Sequence, residues 1–375
     1  MVPTAARAEE PRATLRLEHG WRFKQAADLS GVESGSFDDS GWGVVDVPHT
    51  WNRLGNEGTE RSPLSNTVQG VGWYRLKFAT PAAEGGKSGA RRYYLQFDGV
   101  GKIADVWLNG HYLGQHAGAF ARFRFDATPA IAPAGGDNLL VVKADNSRSE
   151  PGSTTQNVIP LSGDFFVFGG IYRKASLIVT DAVHVDMLDY GGPGVYARAL
   201  SIAPDAAAVE VKSRLVNDGA KLAKVRVETR IEDADGIVVA SGSSEQWVSP
   251  VARAASTNTT VVTTTLQVPR PHLWQATKDP YLYRTVITLH GPKDAILDRV
   301  VQPLGLRTAA FDSNKGFFLN GGHLFLHGAS MHQDRPVKGW AISDADQKQD
   351  QIRRQGHLRY VRRTDIVQHA ESANE

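Results

Sequence analysis

The residues best suited to chemistry cluster near the end of the chain. The apolar run Leu324-Phe325-Leu326 leads into His327, and then into His332-Gln333-Asp334-Arg335. A buried strand that ends in imidazole and carboxylate groups is how a barrel or α/β enzyme presents site residues at a strand's C-terminal end. Spacing of two puts His332 and Asp334 on one side of an extended chain. That pair could bind a polar ligand or contribute to a metal site, but two ligands do not make a metal shell, so no metal is expected. Trp51, Trp73 and Trp107 offer rings that could stack on a ligand, and His49 and Trp51, in a loop-like stretch, are the better placed. Tryptophans on alternating strands usually serve the core. The chain holds no phosphate-cradling glycine loop, no Gly-x-Ser-x-Gly elbow and no His-Glu-x-x-His pair.

The elements that must hold these residues read as β-structure. Phe317-Phe318-Leu319 runs into Asn320-Gly321-Gly322, a hairpin turn of the positive-φ kind, and Leu324–Leu326 is expected to be a buried strand after it. Upstream, residues 14–180 alternate in short runs broken by Gly, Asp, Asn and Pro. Gly72–Phe78 and Tyr93–Phe97 read as strands, Ala104–Gly114 as a hairpin around Asn109-Gly110, and Asn138–Ala144 as a further strand. This pattern argues for a β-sandwich rather than a parallel sheet. Asp145–Gly170 lacks periodicity but ends in Phe165-Phe166-Val167-Phe168, which predicts an ordered loop lining something. Residues 181–303 hold a second set of short strands, including Val209–Val216, Val225–Ile231, Thr259–Val268 and Tyr281–Leu289. About seven short strands in one such stretch is the immunoglobulin-like signature without its disulfide. Ser343-Asp344-Ala345-Asp346 predicts a helix N-cap, with the helix over Gln347–Gln355. Residues 1–13 are expected to form a disordered leader.

Bulk composition bounds the rest. The 375 residues suggest two or three domains, and a net charge of +2 gives no electrostatic case for a nucleic-acid or membrane partner. Absence of cysteine excludes disulfides, thiolate metal ligands and a thiol nucleophile. No apolar run approaches the roughly 18 residues of a membrane span. Ala6-Arg7-Ala8 resembles the end of a secretory signal whose hydrophobic region is missing, so a periplasmic or secreted location is expected, and a cytoplasmic one otherwise.

Six local patterns, in order over most of the chain, resemble the glycoside hydrolase family 2 enzymes: β-galactosidases, β-glucuronidases and β-mannosidases. They are Trp42 with Val45–Asn52, Gly72–Arg75, Ala104–Gly114, Ser162–Arg173, Asp279–Tyr283 and Gly305–Asp334. Asp164–Arg173 and the Gly328–Asp334 run lean towards the β-galactosidase-like members. The resemblance implies a mainly β chain: a jelly-roll sugar-binding domain over 14–180, an immunoglobulin-like sandwich over 181–303, and the truncated start of a TIM (β/α)8 barrel over 304–375. It implies a carbohydrate (β-glycoside) substrate, no cofactor and a possible homo-oligomer. Asp164 matches a carboxylate that reaches from the jelly roll to sugar hydroxyls, work suited to an acceptor of charge-assisted hydrogen bonds. His332 and Asp334 match residues lining the sugar subsite. Gly169 and Gly170 match by position and serve backbone geometry, and Arg173 is expected to be a structural ion partner rather than a ligand.

Family members hydrolyse with retention, which needs two carboxyl groups about 5 Å apart, one protonating the leaving oxygen and one attacking the sugar. Both sit late in the barrel, and a barrel takes about 250 residues, whereas about 70 remain from Gly305 onward. At Gly356-His357-Leu358-Arg359-Tyr360 the family's pattern is lost, as after a frameshift or premature stop downstream of Gln349. Asn374-Glu375 matches the acid/base pattern only superficially. No catalytic residue is therefore assigned, and the chain is expected to be inactive alone. The alternative is a non-catalytic carbohydrate-binding or partner-docking β-sandwich protein, with Leu324–Leu326 as its exposed hook.

Overall fold

The computed structural model describes residues 11–52, 68–81, 91–158, 167–251, 259–326, 335 and 337–349. The first ten strands are β1 (Ala13–Arg16), β2 (Trp21–Gln25), β3 (Gly43–Val45), β4 (Val71–Ala79), β5 (Arg92–Phe97), β6 (Ile103–Leu108), β7 (His111–Ala117), β8 (Phe123–Asp126), β9 (Asp137–Asp145) and β10 (Ala175–Thr180). They form a six-stranded sheet, β3-β2-β4-β9-β6-β7, and a four-stranded sheet, β1-β10-β5-β8. Period-two alternation aims one face of each sheet at the other. Leu76, Val106, Leu140 and Val142 from the larger sheet meet Leu95, Phe97, Phe123 and Leu177 from the smaller, and all are buried. The opposite face of the larger sheet is half covered by residues 29–42, through Val32, Trp42 and Phe37 packed on Trp73, Leu139 and Val141. The predicted hairpin is present. Asn109 and Gly110 have φ of 52° and 81°, the mirror-image turn that matches the strand twist.

A second sandwich follows, of β11 (Val183–Val185), β12 (Val195–Ile202), β13 (Ala206–Asn217), β14 (Ala223–Glu232), β15 (Val238–Val248), β16 (Thr260–Pro269), β17 (Tyr283–His290) and β18 (Ile296–Leu304). One sheet runs β11-β13-β12 with β16 on the free side of β13, and the other runs β15-β14-β17-β18. Valines on β13, β14 and β16 and the Leu/Ile residues of β17 form its core. Asn217-Asp218-Gly219 carries the chain from one sheet to the other, and Asn217 fixes that crossing by donating to Lys221 O and Val248 O, both at 2.8 Å.

The two sandwiches are joined by buried polar contacts. Arg12 donates to both Asp298 oxygens, at 3.0 and 2.6 Å, and Asp298 also accepts from Val185 N. Tyr94 OH bridges His184 Nε2 at 2.9 Å and Asp218 Oδ2 at 2.8 Å. Arg124 donates to the carbonyls of Met187 and Gly192.

Beyond residue 305, β19 (Ala309–Asp312), β20 (Gly316–Leu319) and β21 (Gly322–His323) form a small sheet, with Asn320 and Gly321 at positive φ as the turn residues predict. The expected buried strand over Leu324–Leu326 does not form. Phe325 is 75% and Leu326 67% exposed, because only Gly322–His323 pairs with β20 and no further described strand covers them. Residues 344–349 are helical, starting at the predicted cap, and the rest of the helix expected over Gln347–Gln355 lies outside the described residues. Among the described residues no strand–helix–strand unit of a parallel barrel is present.

Candidate functional site

Asp164, His332 and Asp334 lie outside the described residues. What the structure places are the segments that flank them, and these two flanks pack on each other.

The first flank is 167–174, between the part of the long loop outside the described residues and β10. It is clamped from three sides. His49 N donates to Ile171 O at 2.8 Å, and Thr50 Oγ1 donates to Gly169 O at 2.7 Å. Asn52 Oδ1 accepts from Gly169 N at 2.8 Å and from Asn146 Nδ2 at 3.1 Å, and Asn146 also donates to Val167 O. Gly101 N donates to Gly170 O. Gly169 is required here because a Cβ on it would lie 1.9 Å from the Trp51 ring. The earlier part of the loop is held by Lys102, a buried cation donating to Ser147 O at 2.8 Å and Ser149 Oγ at 3.0 Å. Burial lowers the Lys102 pKa, and the Asp145 charge partly offsets this. The unpatterned stretch is thus an ordered loop over its described parts, as predicted.

The second flank is Arg335 with 337–349. The Arg335 and Gly339 backbones exchange hydrogen bonds at 3.0 and 2.9 Å, closing a tight loop one residue after Asp334. Asp346 ties that loop to the helix. Its carboxylate accepts from Arg335 Nη1 at 2.7 Å, from Lys338 Nζ at 2.8 Å and from Ser343 N and Oγ, both at 2.8 Å. Asp346 N in turn donates to Ser343 Oγ, a reciprocal cap between Ser and the acid three residues on. Lys338 first, then Ser343, hold the Asp346 carboxyl far below the usual range.

Trp340 joins the flanks. It is buried, stacked on Phe168 at 5.0 Å and 17°, and edge-on to Tyr172 at 5.1 Å. Arg173 Nη1 donates to Trp340 O at 2.6 Å, and Lys174 pairs with Asp344. Tyr172 donates to Ala119 O, and burial pushes its hydroxyl up to about 12. Residues 167–174, which follow the Asp164 stretch in sequence, and 337–349, which follow the His332/Asp334 stretch, are therefore pinned to one aromatic cluster.

Sequence reasoning missed Trp340, Asn52 and Phe168 as the parts that do this. Their signal was slight: one tryptophan in a polar stretch, and an asparagine after Trp51. His49 and Trp51 are not presented to a ligand in the way expected of them. His49 Nδ1 lies 2.8 Å from Tyr74 OH and its ring packs on Phe23, while Trp51 stacks on Phe23 and fills the space over Gly72 and Gly169. Arg173 lies over the Tyr172 ring and donates to carbonyls, which is an anchoring role. Among the described residues no cluster of three or more His, Asp or Glu could hold a metal ion, and no helix is long and apolar enough to cross a membrane.

Two antiparallel sandwiches in series, with a capped helix tethered to a loop of the first, define a modular β-protein. The glycosyl hydrolases family 2 sugar binding domain matches residues 42–181, and the glycosyl hydrolases family 2 domain matches 195–307. The chain belongs to that family. It is 33% identical to a β-glucuronidase of Bacteroides fragilis over 90% of its own length and 44% of that protein, and 32% identical to the β-galactosidase BoGH2A of Bacteroides ovatus over 89% and 36%. A crystal structure of a Bacteroides uniformis β-glucuronidase superposes with a TM-score of 0.78 at 28% identity, covering 90% of this chain and 38% of that one. That of a putative β-galactosidase from Bacteroides fragilis gives 0.76 at 32%, covering 89% and 47%. The chain thus spans less than half the length of these relatives.

Proposed function

We propose that the chain is the substrate-presenting front part of a glycosidase that hydrolyses terminal β-glycosides with retention, acting on a β-galactoside or β-glucuronide. Residues 14–180 form its jelly-roll sugar-binding domain, 181–303 its immunoglobulin-like domain, and 304–375 the beginning of its catalytic barrel. Asp164, His332 and Asp334 bind hydroxyls of the terminal sugar, and the whole enzyme is a homo-oligomer that takes no cofactor. The observation that carries this reading is the Phe168–Trp340 contact. It holds the flanks of Asp164 and of His332/Asp334 on one cluster, so carboxylates from two parts of the chain can converge on one ligand.

The acid and nucleophile are supplied from outside the described residues. Two pairs of described carboxylates converge on a shared arginine, Asp186 and Asp189 at 3.4 Å from Arg214 Nε and Glu228 and Glu232 at 3.9 Å from Arg230 Nε, and all four serve as ion partners. The 375-residue chain alone is accordingly inactive. The test is turnover of aryl β-galactoside and β-glucuronide by the purified chain and by a version carrying a relative's barrel. Activity only in the second, reduced at least a hundredfold by Asp164→Ala, is expected. Turnover by the chain alone, surviving re-purification, refutes it.

A further inference from the structure

The outer face of the six-stranded sheet carries a row of polar and aromatic side chains, beside the Trp73 cluster, that loop anchoring does not use. A β-bulge between Val106 and Trp107 sets Trp107 opposite Tyr112, and their rings lie 5.2 Å apart. Tyr112 is 54% exposed, on β7 at the open edge of the sheet. One pair along, the cross-strand row runs Trp73, Lys143, Asp105, Gln115. Asp105 Oδ1 accepts from both Tyr112 OH and Gln115 Nε2, each at 2.8 Å. That fixes the phenol and the amide in place. Asp105 Oδ2 and Gln115 Oε1 have no partner among the described residues. Lys143 Nζ sits 5.8 Å from the Trp73 ring centre and adds a donor. Val32, Phe37 and Trp42 cover the other half of this face, and Trp107 packs against the edge of their cluster, while Tyr112 and Gln115 beyond it are exposed.

We infer that Tyr112, Trp107, Asp105, Gln115 and Lys143 form a second saccharide-binding platform, on the outer face of this sheet, for neutral β-linked glycan chains. A hexopyranose has an apolar C–H face and a hydroxyl rim. Tyr112 beside Trp107 meets the face, and the fixed carboxylate, amide and ammonium meet the rim. A central carboxylate disfavours polyanions. An edge strand leaves room for a polymer to run past the site. The match of residues 42–181 to a sugar binding domain agrees with the ligand class. The platform is independent of Asp164 and of hydrolysis. It would hold the chain on a polymer while another part of the protein works on a terminus.

The test is electrophoresis of the full 375-residue chain in native gels containing barley β-glucan, galactomannan or pectic galactan, with heparin as the polyanion. Retardation by at least one neutral polysaccharide is expected. It should weaken roughly tenfold in Tyr112→Ala and in Gln115→Leu, with an unchanged thermal melt. It should persist in Tyr190→Ala, which removes a 99%-exposed ring elsewhere, and in Asp164→Ala. No retardation in any neutral gel, retardation by heparin alone, or retardation unchanged in Tyr112→Ala overturns the platform. Loss in Asp164→Ala with Tyr112→Ala unaffected assigns the binding to the other site.

Discussion

Replacing Trp340 by alanine should detach the second flank while leaving both sandwiches folded. Trp340 is only 4% exposed, and its partners Phe168 and Tyr172 are each 2% exposed. An indole buries roughly 150–250 Å², and large-to-small replacement of a buried tryptophan costs about 3–5 kcal/mol. Trp340 stands outside the two sandwich cores, in a small cluster with Ala119, Val167, Phe168 and Tyr172. The loss therefore falls on docking of 337–349 rather than on global unfolding. At about 1.4 kcal/mol per decade, the docking equilibrium weakens roughly a hundredfold to a few thousandfold. Hydrogen exchange read by mass spectrometry reports it at the Arg335 and Gly339 amides, which pair with each other, and at Gln347 N, which donates to Ser343 O. These should exchange at least a hundredfold faster, while amides of β4 and β9 keep their protection. Phe120→Ala is the graded control, since that ring is 49% exposed and 5.3 Å from Trp340, and roughly a fivefold effect is expected. Unchanged exchange at these amides, or exchange in the unaltered protein already at the random-coil rate, would falsify the claim that Trp340 holds the two flanks together.

Three further outcomes follow from the same contacts. Asp298→Ala should lower stability by on the order of 3–5 kcal/mol in denaturant melts, because Asp298 is fully buried and its loss strips Arg12 and Val185 N of their acceptor; a cost under about 1 kcal/mol contradicts this. Burial lowers the His184 pKa, with Asp298 and Asp218 opposing, so the folded state keeps the ring neutral while the unfolded chain takes up a proton below about 6.5. Stability should then be flat above that pH and fall as pH drops below it, by at most about one to two kcal/mol by pH 5.5, with His184→Gln flattening the slope apart from a share left by His116, whose pKa burial also lowers; an equally steep slope in His184→Gln removes His184 from the account. Gly339→Ala should mimic Trp340→Ala in exchange, since its Cβ would sit 2.4 Å from Asn52 O and 2.7 Å from the Phe168 ring at φ +56°, whereas Gly152→Ala, at φ +84° with open space, should cost only about 1–2 kcal/mol of backbone strain in a melt.

The strands and hairpins were legible because they obey local rules. Asn109-Gly110 and Asn320-Gly321 announce their turns by residue type, and β4, β5, β9 and β14 by alternation. Ser343 was legible as a cap because the acid three residues on completes it. The pairing of elements was not legible. Nothing local shows that β13 pairs with β16 rather than with the adjacent β14, since that choice depends on which sheet each apolar face meets. Leu324–Leu326 misled for the same reason. Three apolar residues predict burial only where a neighbour exists to bury them, and their described surroundings supply none. At the site, residue types pointed to carboxylate and imidazole chemistry, while the anchors are glycines, an asparagine and a tryptophan whose roles exist only in three dimensions.

Those anchors also explain why loop chemistry can be precise on a β-scaffold. Asn52 is fully buried, and its Oδ1 serves two donors while its Nδ2 donates to Val68 O at 2.7 Å. Removing it would leave Gly169 N and Asn146 Nδ2 short of an acceptor, each a cost of about 1–3 kcal/mol. Gly169, in contact with Trp51, ties the same loop to β4 through Gly72, on which that ring also packs. A displacement of the 167–174 segment would therefore break hydrogen bonds and a ring contact together, and each restraint is shared with a strand of the larger sheet or the chain beside it. The two sandwiches are tied with equal economy: Tyr94 reaches from the centre of the smaller sheet to His184 and Asp218, while Arg12, just ahead of β1, reaches Asp298 in β18. Any unit that docks on the Trp340 cluster thus meets the 167–174 segment, the larger sheet and the second sandwich as one connected frame.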